Sequence, residues 1–146
     1  IPEEERFEFI HKVLPIKTKQ DLMIHSMYDS HNQDMMIVLY NTSDDEISVR
    51  NSGTAIKFEL LDQQGTRLAT RNFPFRLQGS GSVPNIIKIA PHSEVRLTYL
   101  FSYISNGLAE PSRVTTIEAN CSALYDIPSQ NITNKSSSRI ISFKIK

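Results

Sequence analysis

Residues 54–70 read TAIKFELLDQQGTRLAT, and this stretch decides the fold class. Apolar Ile56, Phe58 and Leu60 alternate with polar residues, which is the period of a β-strand with one buried face. The segment Asp62–Gly65 that follows is typical of a tight loop, because its glycine can adopt a positive φ. A second short run, TRLAT, comes directly after it. The stretch therefore predicts a β-hairpin with one face in a core.

The same period of two recurs along the chain. Regular alternation occurs in Phe7–Val13, Ser93–Tyr103 and Arg139–Lys146, and three further runs, Asp34–Asn41, Asn85–Ala90 and Val114–Ala123, are also strand-like. The run at 34–41 is apolar throughout, which predicts a central strand covered on both sides. In the run at 114–123, the better core face consists of Thr115, Ile117, Ala119 and Cys121.

No convincing helix interrupts these runs, so we expect an all-β fold. About eight to ten strands joined by short loops favour an antiparallel immunoglobulin-like β-sandwich. The 146 residues fit a single sandwich domain. We expect residues 1–6 to be flexible and the polar segment Asp126–Ser138 to form a mobile loop before the last strand.

One long segment resembles a known class of domain. The run IVLYNTSDDEISVRNSGTAIKFELLDQQGTRL and the later IAPHSEVRLTYLF are similar to small immunoglobulin-like domains of bacterial lipoproteins and cell-envelope proteins. The shared features are the turn Asn41-Thr42-Ser43, the strand end at Asp62–Gly65, and Pro91 leading into an alternating strand. The resemblance implies a sandwich in the periplasm or cell envelope, with a lipid anchor conceivable upstream. It implies no activity, because sandwich folds host many functions.

Composition and motifs exclude several classes of function. Lys and Arg total 16, as do Asp and Glu, so the basic excess of a nucleic-acid-binding domain is missing. No apolar run approaches the ~20 residues of a transmembrane helix. Cys121 is the only cysteine and lies on a predicted core face, which favours a buried thiol over a nucleophile. We find no catalytic constellation and expect a protein that is not an enzyme; an unrecognised hydrolase is the weakest alternative.

The stretch LMIHSMYDSHNQDMM, residues 22–36, contains all four methionines and two of the four histidines. On a strand, Met23, His25 and Met27 share one face, and thioether and imidazole groups suit Cu(I). A hairpin turn after position 28 would bring further ligands near them, namely His31, Met35 and Met36. Methionine is also a common core filler. The sequence thus favours packing and no cofactor, with a copper site as the alternative.

The sequence Phe73-Pro74-Phe75 lies in a turn-rich segment and offers two interpretations. Buried, the two phenylalanines would belong to the core; exposed, Phe73 and Phe75 would form an adhesive patch for a partner. Together with the missing catalytic residues, this predicts a non-catalytic, extracytoplasmic binding or assembly module that contacts another protein of unknown identity. A periplasmic copper-binding protein is the alternative.

Overall fold

The computed structural model describes residues 20–146, which form nine strands and a few short helical turns. The strands are β1 (Leu22–Asp29), β2 (Asp34–Asn41), β3 (Ile47–Arg50), β4 (Ile56–Leu61), β5 (Arg67–Phe73), β6 (Ile86–Ile89), β7 (Glu94–Leu100), β8 (Thr116–Ile127) and β9 (Ile132–Lys144). One α-helical turn, α1 (Phe101–Ile104), and two 3-10 turns, Pro111–Arg113 and Pro128–Gln130, complete the description. Two predictions, a strand at Phe7–Val13 and flexibility of residues 1–6, concern residues outside this range.

All strand pairings are antiparallel, which confirms the predicted all-β class. The smaller sheet has the order β1-β2-β7. In the larger sheet, β8 pairs with β9 along one side and with β4 and then β3 along the other. β5 extends β4 and β6 extends β3, and this sheet curls into a half-barrel. Buried side chains from both sheets belong to one hydrophobic core.

The strand β8 shows most clearly how alternation builds this core. Every second side chain from position 117 onward is buried, whereas those between them are mostly exposed. The buried set is Ile117, Ala119, Cys121, Ala123, Tyr125 and Ile127. The predicted core face is confirmed for its last three members, while Thr115 precedes the strand and is half-buried. Each large apolar side chain removed from water in this way contributes about 1.5–3 kcal/mol.

The predicted hairpin at residues 54–70 is confirmed. β4 and β5 pair antiparallel, and Gly65 adopts a φ of 81° between them. Asp62 fixes the turn, because its Oδ1 accepts hydrogen bonds from the backbone N–H groups of Gln64 at 3.0 Å and Thr66 at 2.8 Å. The carboxylate thus accepts hydrogen bonds from backbone N–H groups of the turn that have no partner on a neighbouring strand.

The prediction of a strand from Ser93 to Tyr103 is wrong at its end, because the chain leaves β7 after Leu100 and forms α1. Phe101 and Ile104, three residues apart, are both buried, so one helical turn brings both side chains into the core. Ser105 closes the turn, donating its hydroxyl to the Phe101 carbonyl at 2.8 Å. The sequence did not reveal this helical turn, because Phe101 also fits the alternating pattern of the strand before it.

The predicted loop at Asp126–Ser138 is also wrong. β8 continues to Ile127, only the 3-10 turn and Asn131 intervene, and β9 starts at Ile132. Asn131 makes the reversal with a φ of 56°, a conformation that asparagine tolerates better than most residues. The segment is polar because four of the first six side chains of β9 are exposed. Its pairing with β8 therefore produces no hydrophobic alternation in the sequence.

The two sheets are joined along one side, where β1 lies next to β9. Ser137 donates its hydroxyl to the Leu22 carbonyl at 2.8 Å, and Arg139 donates to the Ile24 carbonyl at 2.7 Å. Side chains thus take the place of a strand ladder between the sheets. On the other side, β6 and β7 belong to different sheets and separate after the turn that connects them.

Asn41 holds the point from which β6 and β7 separate. It is fully buried, and its side-chain amide donates to the carbonyls of Ile89 at 3.0 Å, Ala90 at 3.1 Å and Asp45 at 2.7 Å. Its Oδ1 accepts from the backbone N–H and the hydroxyl of Ser43, at 2.9 and 2.7 Å. The predicted Asn-Thr-Ser turn is therefore built around one asparagine that links β2, the β6–β7 turn and the start of β3.

Asn41→Ala should lower the free energy of unfolding by about 2–4 kcal/mol, because it leaves buried carbonyls without a donor. Chemical denaturation followed by tyrosine fluorescence measures this. Asn120→Ala is the matched control, since Asn120 lies exposed on β8 and should change stability by less than about 0.5 kcal/mol. Equal effects of the two substitutions would contradict the role given to Asn41.

Candidate functional site: a cleft between two sheet edges

A cleft of about 500 Å³ lies where β6 and β7 separate. Leu77 and Val95 are half-buried and pack against the core, so they form an apolar floor. The remaining lining comes from β6, from the start of β7 and from the loop before β6: Gln78, Ser80, Pro84, Ile86, Ile87, Lys88, Glu94 and Arg96. The site thus combines an apolar floor with a charged rim.

Among the described residues, no strand covers the outer side of β6, so this side of the cleft is an open sheet edge. Within residues 20–146, β6 pairs with β3 alone. The Asn51 backbone N–H donates to the Asn85 carbonyl at 2.9 Å, so these two residues form a hydrogen-bonded pair. Hydrogen-bonded and non-hydrogen-bonded pairs alternate along an antiparallel ladder, so Ile87 and Ile89 also bond to β3. The backbone N–H and C=O groups of Ile86 and Lys88 must then point away from β3. An extended peptide needs such groups to add a strand.

Apolar side chains stand exposed beside this edge. Val83, which precedes β6, is 49% exposed, and Ile86 on β6 is 53% exposed. Lys88 is exposed on the same strand, and across the cleft Arg96 donates to Glu94 with 2.5 Å between Nε and Oε2. The rim therefore offers apolar contact together with charges of both signs.

The irregular segment before β6 is held in place by Asn51. Its side-chain amide donates to the carbonyls of Phe75 and Pro84, each at 2.8 Å, and its Oδ1 accepts from the Phe75 N–H at 2.7 Å. One side chain therefore binds both ends of residues 75–84. Because this segment supplies Leu77 and Pro84 to the cleft, Asn51 positions that wall.

The predicted contact at Phe73 and Phe75 needs correction. Phe75 is fully buried, so it cannot touch a partner, and the core interpretation of this residue holds. Phe73 is half-buried and packs edge-on against Phe58 at 5.8 Å between ring centroids. It also approaches Tyr103, which is 50% exposed, at 5.3 Å. The sequence placed these aromatics in a turn but could not show that the turn folds over the core.

The structure divides the proposed metal ligands into three places. Met27 lies directly opposite Met36 in the β1–β2 ladder, and Met23 and His25 share their face. These four side chains are buried, with Met27, Met36 and Val38 in a hydrophobic cluster apart from the main core. Met35 lies on the opposite face of β2, in the main core. His31 is exposed in the β1–β2 turn, where its backbone N–H donates to the Asp29 carboxylate.

Sequence reasoning missed the cleft. It recognised β6 only as a short run ending at Pro91, and an edge position depends on which strands pair across the whole sheet. One signal was present: Pro84 and Pro91 bracket four strand residues that include Lys88, and edge strands are commonly short, flanked by proline and marked by lysine.

Comparisons with known proteins give no family for this chain. No family model matches it, and no curated protein matches it. Solved structures of similar shape include a Bordetella pertussis protein provisionally named ApaA, with a TM-score of 0.47, 11% identity, and coverage of 86% of this chain and 94% of that one. Another is the structural genomics target SoR45, with a TM-score of 0.45, 10% identity and 88% coverage of each chain. At these values neither likeness bears on function.

No helix between residues 20 and 146 has the length and apolar character needed to cross a bilayer. Among the same residues, no three His, Cys, Asp or Glu side chains come together as a metal site would require.

Cys121 lies on the core face of β8 with no exposed surface. Burial disfavours the thiolate and raises the pKa of the thiol to about 12. Tyr99, also buried, has its pKa raised by burial as well. A nucleophilic cysteine needs accessibility and a lowered pKa, so Cys121 serves packing.

These buried acids should make the protein less stable in alkali. Above about pH 9 the unfolded chain loses the Cys121 proton while the native state keeps it, so the free energy of unfolding falls by about 1.4 kcal/mol per pH unit from this group. Denaturation curves at pH 8 to 10 measure the slope, and Cys121→Ala should flatten it. An unchanged slope in that variant, or rapid reaction of the native thiol with Ellman's reagent at pH 8, would contradict this assignment.

Proposed function

We propose that this protein is a non-catalytic binding module that takes up an extended segment of a partner protein in the cleft between β6 and β7. The observation that supports this most is the open edge at Ile86 and Lys88 beside an apolar floor. Backbone groups of the edge supply affinity that is independent of sequence, while the floor selects an apolar side chain. The rim charges of Lys88, Glu94 and Arg96 favour a segment that also carries polar residues.

The length of β6 limits what can bind. Of the four residues of β6, only Ile86 and Lys88 direct their backbone N–H and C=O groups away from β3. A strand added at this edge would therefore form only a short ladder. Pro84 and Pro91 stop the edge from extending in either direction. A short edge of this kind resists uncontrolled association of sheets and still accepts a fitting peptide. The partner segment should therefore be about four to six residues long, with an apolar residue at its centre.

The surrounding assignments are proposals of the same kind. Two antiparallel sheets around one core are compatible with an immunoglobulin-like sandwich. The similarity of residues 34–103 to domains of cell-envelope proteins supports an extracytoplasmic location and a role in assembly there. The sandwich assignment rests on the strand pattern, and the location and assembly role rest on the sequence resemblance.

Lys88→Pro tests the edge directly. The substitution removes an N–H that points away from β3, so the native pairing of β6 survives while the added ladder is blocked. Panning the purified 146-residue chain against a random octapeptide display library supplies the ligand. A synthetic enriched peptide should bind Lys88→Pro at least tenfold more weakly than wild type.

Lys88→Gln is the matched control, because it removes the charge and keeps the N–H, and it should bind within about threefold of wild type. Circular dichroism and thermal melting confirm that both variants fold. Peptides that bind Lys88→Pro as tightly as wild type, or a library that yields no enriched peptide, would refute docking at this edge.

A second candidate function is soft-metal binding on the other face of the smaller sheet. The specific observation in its favour is that the fold brings Met23, His25, Met27 and Met36 to one face, with Met27 and Met36 directly opposite. Side chains opposite each other in an antiparallel pair lie about 5 Å apart at Cβ, within reach of a shared Cu(I) ion. The same arrangement also suits simple packing.

Titration with Cu(I) against a competing chelator separates these alternatives. Metal binding predicts a one-to-one complex whose affinity falls at least a hundredfold in a His25→Ala, Met27→Ala variant. His31→Ala, which alters only the exposed turn, should leave the affinity unchanged. Equal weak affinity in all three proteins would leave packing as the role of these side chains.

A further inference from the structure

The far end of the larger sheet contains a second cavity, of about 650 Å³, which is separate from the β6–β7 cleft. Three segments meet there: the β4–β5 turn, the stretch from the first 3-10 turn to the start of β8, and the end of β9 with the residues after it. They contribute Asp62, Gln63, Gln64, Ser112, Arg113, Thr115, Thr116, Lys144 and Lys146. No large apolar side chain is among them, so this cavity suits a polar ligand.

The charge of this cavity is strongly biased, although the whole chain is neutral. Arg113, Lys144 and Lys146 provide three positive charges, and Asp62 provides the single negative charge of the lining. Hydroxyl and amide groups from the rest of the lining add neutral hydrogen-bond donors. A cleft lined by one sign of charge raises the local concentration of ions of the opposite sign.

Asp62 offsets one of the three positive charges and also holds the Arg113 guanidinium in place. The residue is only 7% exposed, and Oδ1 accepts the two backbone N–H groups of the turn. Oδ2 accepts from Arg113 Nη2 at 3.3 Å, so the carboxylate fixes the guanidinium at the cavity. A guanidinium has five N–H donors, and a single contact with Asp62 leaves most of them for a ligand.

The two lysines differ in how they are held. Lys146 donates its ammonium group to the Ser112 carbonyl, which anchors it at the rim. Lys144 is exposed at the end of β9 and has no carboxylate partner within residues 20–146. Because Arg113, Lys144 and Lys146 line the same cavity, an anion bound there is attracted by all three.

We propose that this cavity binds a small anion with two or more charged groups, held by Arg113, Lys144 and Lys146. Its volume exceeds what a single inorganic ion fills, and cations from separate segments can each meet a different charged group of one ligand. Phosphate and carboxylate groups share the required chemistry, since both accept charge-assisted hydrogen bonds from guanidinium and ammonium donors. The site is independent of the peptide cleft.

Isothermal titration of the purified chain with pyrophosphate and, separately, with citrate tests this proposal at low ionic strength. At least one of them should bind one-to-one, and Lys144→Gln should weaken that binding at least tenfold. Binding of pyrophosphate alone identifies phosphate chemistry, and binding of citrate alone identifies carboxylate chemistry. Because Lys144 is exposed and pairs with no carboxylate of residues 20–146, its substitution should leave the melting temperature of the free protein unchanged.

Lys88→Gln provides the matched control, since Lys88 is also an exposed strand lysine, lies in the other cleft, and should not affect anion binding. The proposal is overturned if neither anion binds, or if Lys88→Gln weakens binding as much as Lys144→Gln, which would indicate non-specific attraction. Because anion and peptide are measured with separate probes on separate residues, either site can fail without the other.

Discussion

Two asparagine side chains fix the geometry on which the β6–β7 cleft depends. Asn41 bonds to carbonyls of the β6–β7 turn, and Asn51 bonds to both ends of the segment that precedes β6. In each case a side-chain amide satisfies backbone groups that no strand neighbour reaches. Leaving a buried backbone group unsatisfied costs about 1–3 kcal/mol, so these bonds determine where the irregular chain can lie. As far as residues 20–146 are concerned, the edge of β6 stays open because these bonds hold the neighbouring turn and loop away from it.

The two sides of the sheet pair differ for a related reason. Between β1 and β9, Ser137 and Arg139 reach across to carbonyls of the neighbouring strand and close the gap. Between β6 and β7 the asparagine bonds run within the turn and the preceding loop, and they leave the outward groups of Ile86 and Lys88 uncovered by other described residues. The sheets are therefore joined at β1 and β9 and separate at β6 and β7, and the second place is where we propose that a peptide docks.

The strands with a buried face could be read from the sequence, because alternation reports burial directly. β4, the core face of β8 and the hairpin at Asp62–Gly65 followed from local pattern and turn chemistry alone. The first half of β9 could not be found, because most of its side chains face water and its one buried side chain, Ser137, is polar. The helical turn at Phe101 was hidden because Phe101 also fits the alternating run Ser93–Tyr103, while Ile104 lies one residue beyond the end of that run. The candidate sites depend on still longer-range information: the burial of Phe75 and the open edge of β6 both follow from which strands pair across the fold.

Amide hydrogen exchange along β6, resolved by residue with NMR, tests the open edge most directly. The amides of Ile87 and Ile89 face β3 and should be protected, whereas those of Ile86 and Lys88 should exchange nearly as fast as in an unstructured peptide. This alternation of slow and fast amides within four residues is the result expected of a strand paired on one side. Uniform protection of all four amides would mean that the outer edge is already covered, and the proposed docking site would not exist.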